Sequence, residues 1–149
     1  MSGILVYALH YDGAINKNSL GAVSEGAKLA GELGTECHAI VIGDVSDDLA
    51  AQLGNYGASK VYRVQGPEGL AQPVVDAMAA AIEAGGHEYA LFGGGLLGFE
   101  IGAGLAARLD GGVCMEVTSV RVEDGKLVAE RPILQDSQIS SVHYRSKLA

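Results

Sequence analysis

Residues 4–9 read Ile-Leu-Val-Tyr-Ala-Leu, a continuous apolar run of strand length. A strand wetted on one face alternates apolar and polar residues, so an unbroken run suits a strand covered on both faces. Around it, strand-like and helix-like stretches alternate. The spacing predicts a helix over 19–33, with Leu20, Val23, Ala27, Ala30 and Leu33 on one face. Asn18 or Ser19 is placed to cap its start and Gly34 its end. A second strand is predicted over 36–42. Ser46 caps a short helix over 47–56, with Asp47 and Asp48 at its positive end. A third strand covers 60–64, partly polar as an edge strand is. Pro73 opens a helix to about residue 84, with Val74, Met78, Ala81 and Ile82 inward. The fourth strand is 89–92, and a helix over 99–109 buries Ile101, Leu105 and Leu109. Residues 113–122 form a fifth strand, a turn at Glu123-Asp124-Gly125 leads to a returning strand over 127–133, and 139–143 pairs again.

This alternation implies an α/β domain with a doubly wound, mostly parallel five-stranded sheet, order 3-2-1-4-5, and a C-terminal antiparallel hairpin extension. Strands 1 and 4 then meet at the switch point, where ligands of such sheets bind beyond the carboxyl ends of the strands. Residues 10–18 face 93–98 there.

At 149 residues the chain has single-domain length. Its net charge of −8 argues against nucleic acid, whose affinity comes mainly from Lys and Arg on phosphate. No apolar run reaches the roughly 18–20 residues of a membrane span, and the first residues lack the basic start of a signal peptide. Cys37 and Cys114 give no disulfide framework, which makes a reducing cytoplasm the expected setting.

The chemistry-bearing candidates cluster at the switch point. Gly93, Gly95 and Gly98, with Gly94 between them, satisfy Gly-x-Gly-x-x-Gly between a strand and a helix. A dinucleotide site also wants an acid at the end of the next strand. Glu116 has about the right separation but falls early in that strand. A P-loop fails, because Phe99-Glu100 stands where Lys and Ser/Thr would be. The competing reading is a tight turn kept for close packing of helix on sheet, with any ligand adenosine-like rather than phosphate-anchored. His10 and Asp12 lie on the facing loop, as turn residues or as part of a nucleotide cleft. His10, His38, His87 and His143 show no metal-ligand spacing, and Cys37 and His38, adjacent in a strand, point to opposite faces. No nucleophile elbow or Cys/His catalytic pair is present. Arg131-Pro132 reads by itself as an edge terminus.

Several stretches together resemble the N-terminal domain of the electron transfer flavoprotein alpha subunit. They are ILVYALHYDG at 4–13, SLGAVSEGAKLAGELG at 19–34, HAIVIGD at 38–44, YGASKVYRV at 56–64, LFGGGLLGFEIGAGLAARLDGGVCMEVTSV at 91–120 and LVAERP at 127–132. The resemblance covers residues 1–149 as one domain and implies a nucleotide-binding-like α/β fold. It also implies a role as electron-carrier component rather than enzyme, passing electrons from flavin dehydrogenases onward. In that family FAD sits mainly on the alpha subunit's C-terminal domain, which has no counterpart in these residues, and AMP commonly sits in the beta subunit. The partners implied are a beta subunit and an FAD-binding alpha C-terminal domain, with Arg131 facing the latter. The chain departs from the family at Phe99-Glu100, where Arg-Asp is common, at Ala103 for a helix Pro, and at 134–137. The alternative is a stand-alone AMP- or ATP-binding protein comparable to universal stress proteins, with a homodimer open to it. Its Gly-x2-Gly-x9-Gly-Ser/Thr pattern is not met.

Overall fold

The structure is a computed structural model describing residues 3–11, 13–66, 70–93, 96–114, 117, 119–133 and 138–142. In chain order the elements are β1 (Gly3–Tyr7), β2 (His10–Tyr11), β3 (Ala14–Ile15), α1 (Lys17–Leu33), β4 (Glu36–Ile42), α2 (Asp47–Asn55) and β5 (Lys60–Val64). Then come α3 (Ala71–Gly85), β6 (Tyr89–Phe92), α4 (Leu96–Leu109), β7 (Ser119–Glu123), β8 (Lys126–Ile133) and β9 (Gln138–Val142).

The apolar run at the start of the chain becomes β1, buried at every residue. It lies between β4 and β6, and β5 pairs outside β4, all parallel. The order β5-β4-β1-β6 is the predicted 3-2-1-4, with strands 1 and 4 adjacent at the switch point. Successive side chains on a strand point to opposite faces, and both faces of β1 are covered. Ile4, Val6 and Ala8 join Val23, Leu29 and Ala30 of α1 and Leu53 of α2. Leu5 and Tyr7 join Val74, Met78 and Ile82 of α3 and Ile101 and Leu105 of α4.

Helix α1 approaches the sheet closely because Gly26 lacks a side chain. A Cβ there would lie 3.0 Å from Val6 Cγ2 and 3.1 Å from Cys37 Sγ. The helix ends at Gly34 in a left-handed cap, as expected. Ser46 caps α2 by accepting from the Leu49 N–H. The cap of α1 is Asn16 rather than Asn18 or Ser19.

The fifth strand does not extend the parallel sheet. Among the described residues, Gly111–Cys114 and Val117 are not in a strand, and pairing begins at Ser119. Asp124 and Gly125 both take positive φ, the geometry of a tight two-residue hairpin turn. That turn commits β7 to β8, with Ser119 opposite Glu130. Strand β9 then pairs with β8, giving a separate three-stranded antiparallel sheet. Local pairing is reached by closing a short loop, so it prevails over the longer excursion to β6. The hairpin packs on the α1 side, where Leu127 enters the core with Val120 and Val122 against it, and the Tyr89 hydroxyl accepts from the Leu127 N–H at 3.3 Å.

Gly26→Val should destabilise the domain by about 1–3 kcal/mol, the usual cost of overpacking a tight contact. Gly21→Ala, on the same helix with nothing within 4 Å of the added Cβ, should stabilise it by about 0.5–1 kcal/mol. Urea unfolding midpoints of the two variants, moving in opposite directions, check this pair.

Candidate functional site

The switch point is built by the start of α1 and the turn after β6. The first N–H groups of a helix are unpaired and attract anions. In α1 two of these groups are already engaged. The Asn16 side-chain oxygen accepts from the Asn18 N–H at 2.8 Å and from the Ser19 N–H at 3.3 Å. Buried Ser19 instead turns its hydroxyl back to accept from the Leu9 N–H at 3.0 Å, pinning the helix start to the end of β1.

The glycine turn packs directly on this corner. A Cβ at Gly93 would lie 2.9 Å from the Asn18 carbonyl carbon and 3.0 Å from the Ser19 nitrogen. Only a glycine permits that approach without a shift. Helix α4 starts at Leu96, three residues earlier than predicted, so Gly98 lies inside its first turn rather than in the loop. A Cβ at Gly98 would meet the Gly93 carbonyl oxygen at 3.0 Å. The earlier start also moves Glu100 beyond the first turn, where it is exposed. Its charge therefore sits farther from the helix end than the sequence suggests. The arrangement packs the glycine turn closely against the backbone at the start of α1, and the first turn of α4 closely against Gly93.

His10 does not face the glycine turn. Its Nε2–H donates to the Ile42 carbonyl at 2.7 Å, across to β4, on the far side of β1 from β6. Asp12, Gly94 and Gly95 lie outside the described residues. Arg131 belongs to β8 in the separate sheet, opposite Ser140, and its Nε is buried with no hydrogen-bond partner among the described residues. The structure thus brings Gly93 and Gly98 together with α1, and leaves His10 and Arg131 elsewhere. Among the described residues, no three His, Cys, Asp or Glu side chains are grouped to hold a metal ion.

Cys37 and His38 do point to opposite faces. Cys37 is buried against α1, and burial pushes its thiol up to about 11. His38 faces the α3 side and meets His87, which follows the end of α3. Their Nδ1 and Nε2 atoms are 2.8 Å apart, and both residues are buried. Tyr62 of β5 stands edge-on to both rings, with centroids 5.9 and 6.1 Å away. Burial lowers the His38 imidazole from its usual value; the Glu36 carboxylate opposes this and Lys60 adds to it. Burial takes His87 down to about 4, with the neighbouring His38 contributing next. This pair has no sequence spacing. It forms because residues near the start of β4 and just before β6 lie at the same rim of a parallel sheet.

Comparison with known proteins then bears on the whole chain. A family model described as electron transfer flavoprotein domain matches residues 4–148. The electron transfer flavoprotein subunit alpha of Clostridium acetobutylicum is 30% identical over 146 residues, covering 94% of this chain and 43% of that protein. The acryloyl-CoA reductase electron transfer subunit beta of Anaerotignum propionicum is 31% identical over 129 residues, covering 84% and 35%. The electron transfer flavoprotein subunit alpha of Bacillus subtilis is 29% identical over 125 residues, covering 82% and 38%. The chain spans less than half the length of these relatives.

Asn16→Ala should cost about 0.5–2 kcal/mol, the usual loss for a helix cap, read as a lower urea midpoint. The histidine pair sets a pH dependence. Both imidazoles have lowered values in the fold, so at pH above the unfolded value of 6.5 neither state is charged and stability is intact. As pH falls through 6.5, the unfolded chain takes protons that the folded chain refuses. The loss accumulates until the folded groups protonate, near pH 4 for His87. Thermal unfolding between pH 7 and pH 4 should show a falling midpoint, with a shallower fall in His87→Asn.

Proposed function

The chain belongs to the electron transfer flavoprotein domain family, and from that premise we propose that it is a scaffold and subunit-interface module of an electron transfer flavoprotein. In this reading it is the counterpart of the alpha-subunit N-terminal domain. It docks a beta subunit and orients an FAD-binding domain that carries the flavin, acting as a component of an electron carrier in the cytoplasm rather than as a catalyst. The observation that carries the reading is the match over residues 4–148. The switch point supports it. There the Asn18 and Ser19 N–H groups at the start of α1 are taken by Asn16, and Gly93 packs against the same backbone. The residues present are therefore spent on internal packing, which fits a domain that supports a flavin held elsewhere. Exposed Phe99 and Val113 leave apolar surface beside α4, available to a partner.

The test uses the purified chain and a beta subunit encoded in the same genome. Mixed together they should form a stoichiometric complex in analytical ultracentrifugation, and the chain alone should show no visible flavin absorption. Stoichiometric flavin on the chain alone, or no association with the beta subunit, would overturn the proposal. Tight AMP or ATP binding by the isolated chain, measured by calorimetry, would point instead to a stand-alone nucleotide-binding protein.

A further inference from the structure

We infer that His38 and His87 form a shared-proton latch at the amino-terminal rim of the sheet, closed with no added proton or one, and opened by a second. The geometry carries the argument. His38 Nδ1 and His87 Nε2 face each other at 2.8 Å, so a single hydrogen must lie between them, donated by one ring and accepted by the other. The outer nitrogens differ in their surroundings. His38 Nε2 is 3.9 Å from Glu36 Oε2, whereas His87 Nδ1 is buried with no hydrogen-bond partner among the described residues. Which ring donates follows the tautomer. In the uncharged pair one hydrogen lies between the rings and one outer nitrogen is bare. One added proton fills it, so that His38 Nε2–H points toward Glu36 while the hydrogen between the rings stays in place. A charged donor on a neutral acceptor makes the stronger class of hydrogen bond.

A second proton has no such position. It would place a hydrogen on each of two nitrogens 2.8 Å apart, and two positive charges on rings with centroids 4.9 Å apart. The surroundings give little relief. Among the described residues, the charges acting on the pair are Glu36 of β4, which favours a proton on His38, and Lys60 of β5, which opposes one on either ring; Tyr62 of β5 presents a neutral ring whose face Lys60 covers at 4.8 Å. The rings cannot simply slide apart, because α3 crowds His87: a Cβ on Gly85 would come within 2.5 Å of His87 Cε1. The available relief is for residues 86–88 to lift away. Two backbone hydrogen bonds hold that segment, Gly86 N–H to the Ile82 carbonyl at 2.8 Å and Glu88 N–H to the Gly3 carbonyl at 2.9 Å. The segment runs directly into β6, so opening it loosens the strand whose other end carries Gly93.

The experiment is a pH titration of the intact chain followed by nitrogen-15 NMR of the imidazoles, with amide hydrogen exchange read alongside. Two separated steps are expected, each moving the signals of both rings, because the first proton is shared. Between the two steps the open form binds one more proton than the closed form. The opening constant at the Glu88 amide, corrected for intrinsic exchange, should therefore rise about tenfold per unit fall in pH. In His87→Asn the neutral amide removes the second charge, and that rise should vanish while His38 titrates in one step. Independent single-step titrations of the two histidines in the native chain would overturn the latch. So would an exchange rate at Glu88 that ignores the second step, or one that keeps its full acid rise in His87→Asn. If the variant does not fold, the native titration decides alone.

Discussion

The packing of helices on both sides of the parallel sheet follows from β1 being covered on both faces. A parallel sheet sandwiched between helices leaves no solvent for side chains along its middle strands. Helix α1 must then lie close, and at Gly26 it does so by presenting no side chain to Val6 and Cys37. The same constraint falls on β4, whose alternation sends Cys37 toward α1 and His38 toward α3. A cysteine behaves as a small hydrophobe and needs nothing further. An imidazole on a covered face must find a hydrogen-bond partner or pay the cost of desolvation. His87 supplies it from the residues that end α3. The histidine pair is thus a consequence of placing a polar residue on a doubly covered strand near its open rim.

Much of this architecture is legible in the sequence because the signals are local. The apolar run at 4–9, the exact spans of β4, β5 and β6, the Ser46 cap and the Gly34 stop each rest on a few neighbouring residues. The departures occur where a distant group decides. Asn16, Asn18 and Ser19 are all chemically able to cap α1. Ser19 is withdrawn from that role because its hydroxyl serves the Leu9 N–H, a contact that exists only once the helix has docked on β1. The segment after α4 is apolar enough to read as a fifth strand, yet the turn at Asp124 and Gly125 commits its later half to β8. The histidine pair joins residues 49 positions apart and leaves no periodic trace.

At the candidate site the glycine pattern was visible, and its meaning was not. Gly-x-Gly-x-x-Gly serves two ends at once: room for a phosphate, and room for one backbone against another. Sequence alone does not separate them, since both require a missing Cβ. At the outer glycines the packing use is visible: a Cβ on Gly93 would be forced against the start of α1, and one on Gly98 would press tightly on the carbonyl of Gly93.

An anion at this corner would have to compete with the protein for the same donors. The N–H groups of Asn18 and Ser19 already bond to a side chain within their own turn, which partly satisfies the orphan donors that make a helix start attractive to phosphate. A phosphate would gain only the difference between its hydrogen bonds and those of Asn16, and would have to open the Gly93 contact as well. An uncharged adenosine-like group would escape the first of these costs but not the second. The Gly93 contact, together with the Ser19 hydroxyl on the Leu9 N–H, ties the start of α1 to the end of β1 and to the turn after β6. The corner that would otherwise present free helix-start donors to an anion is thus where the chain fastens its first helix to the two central strands.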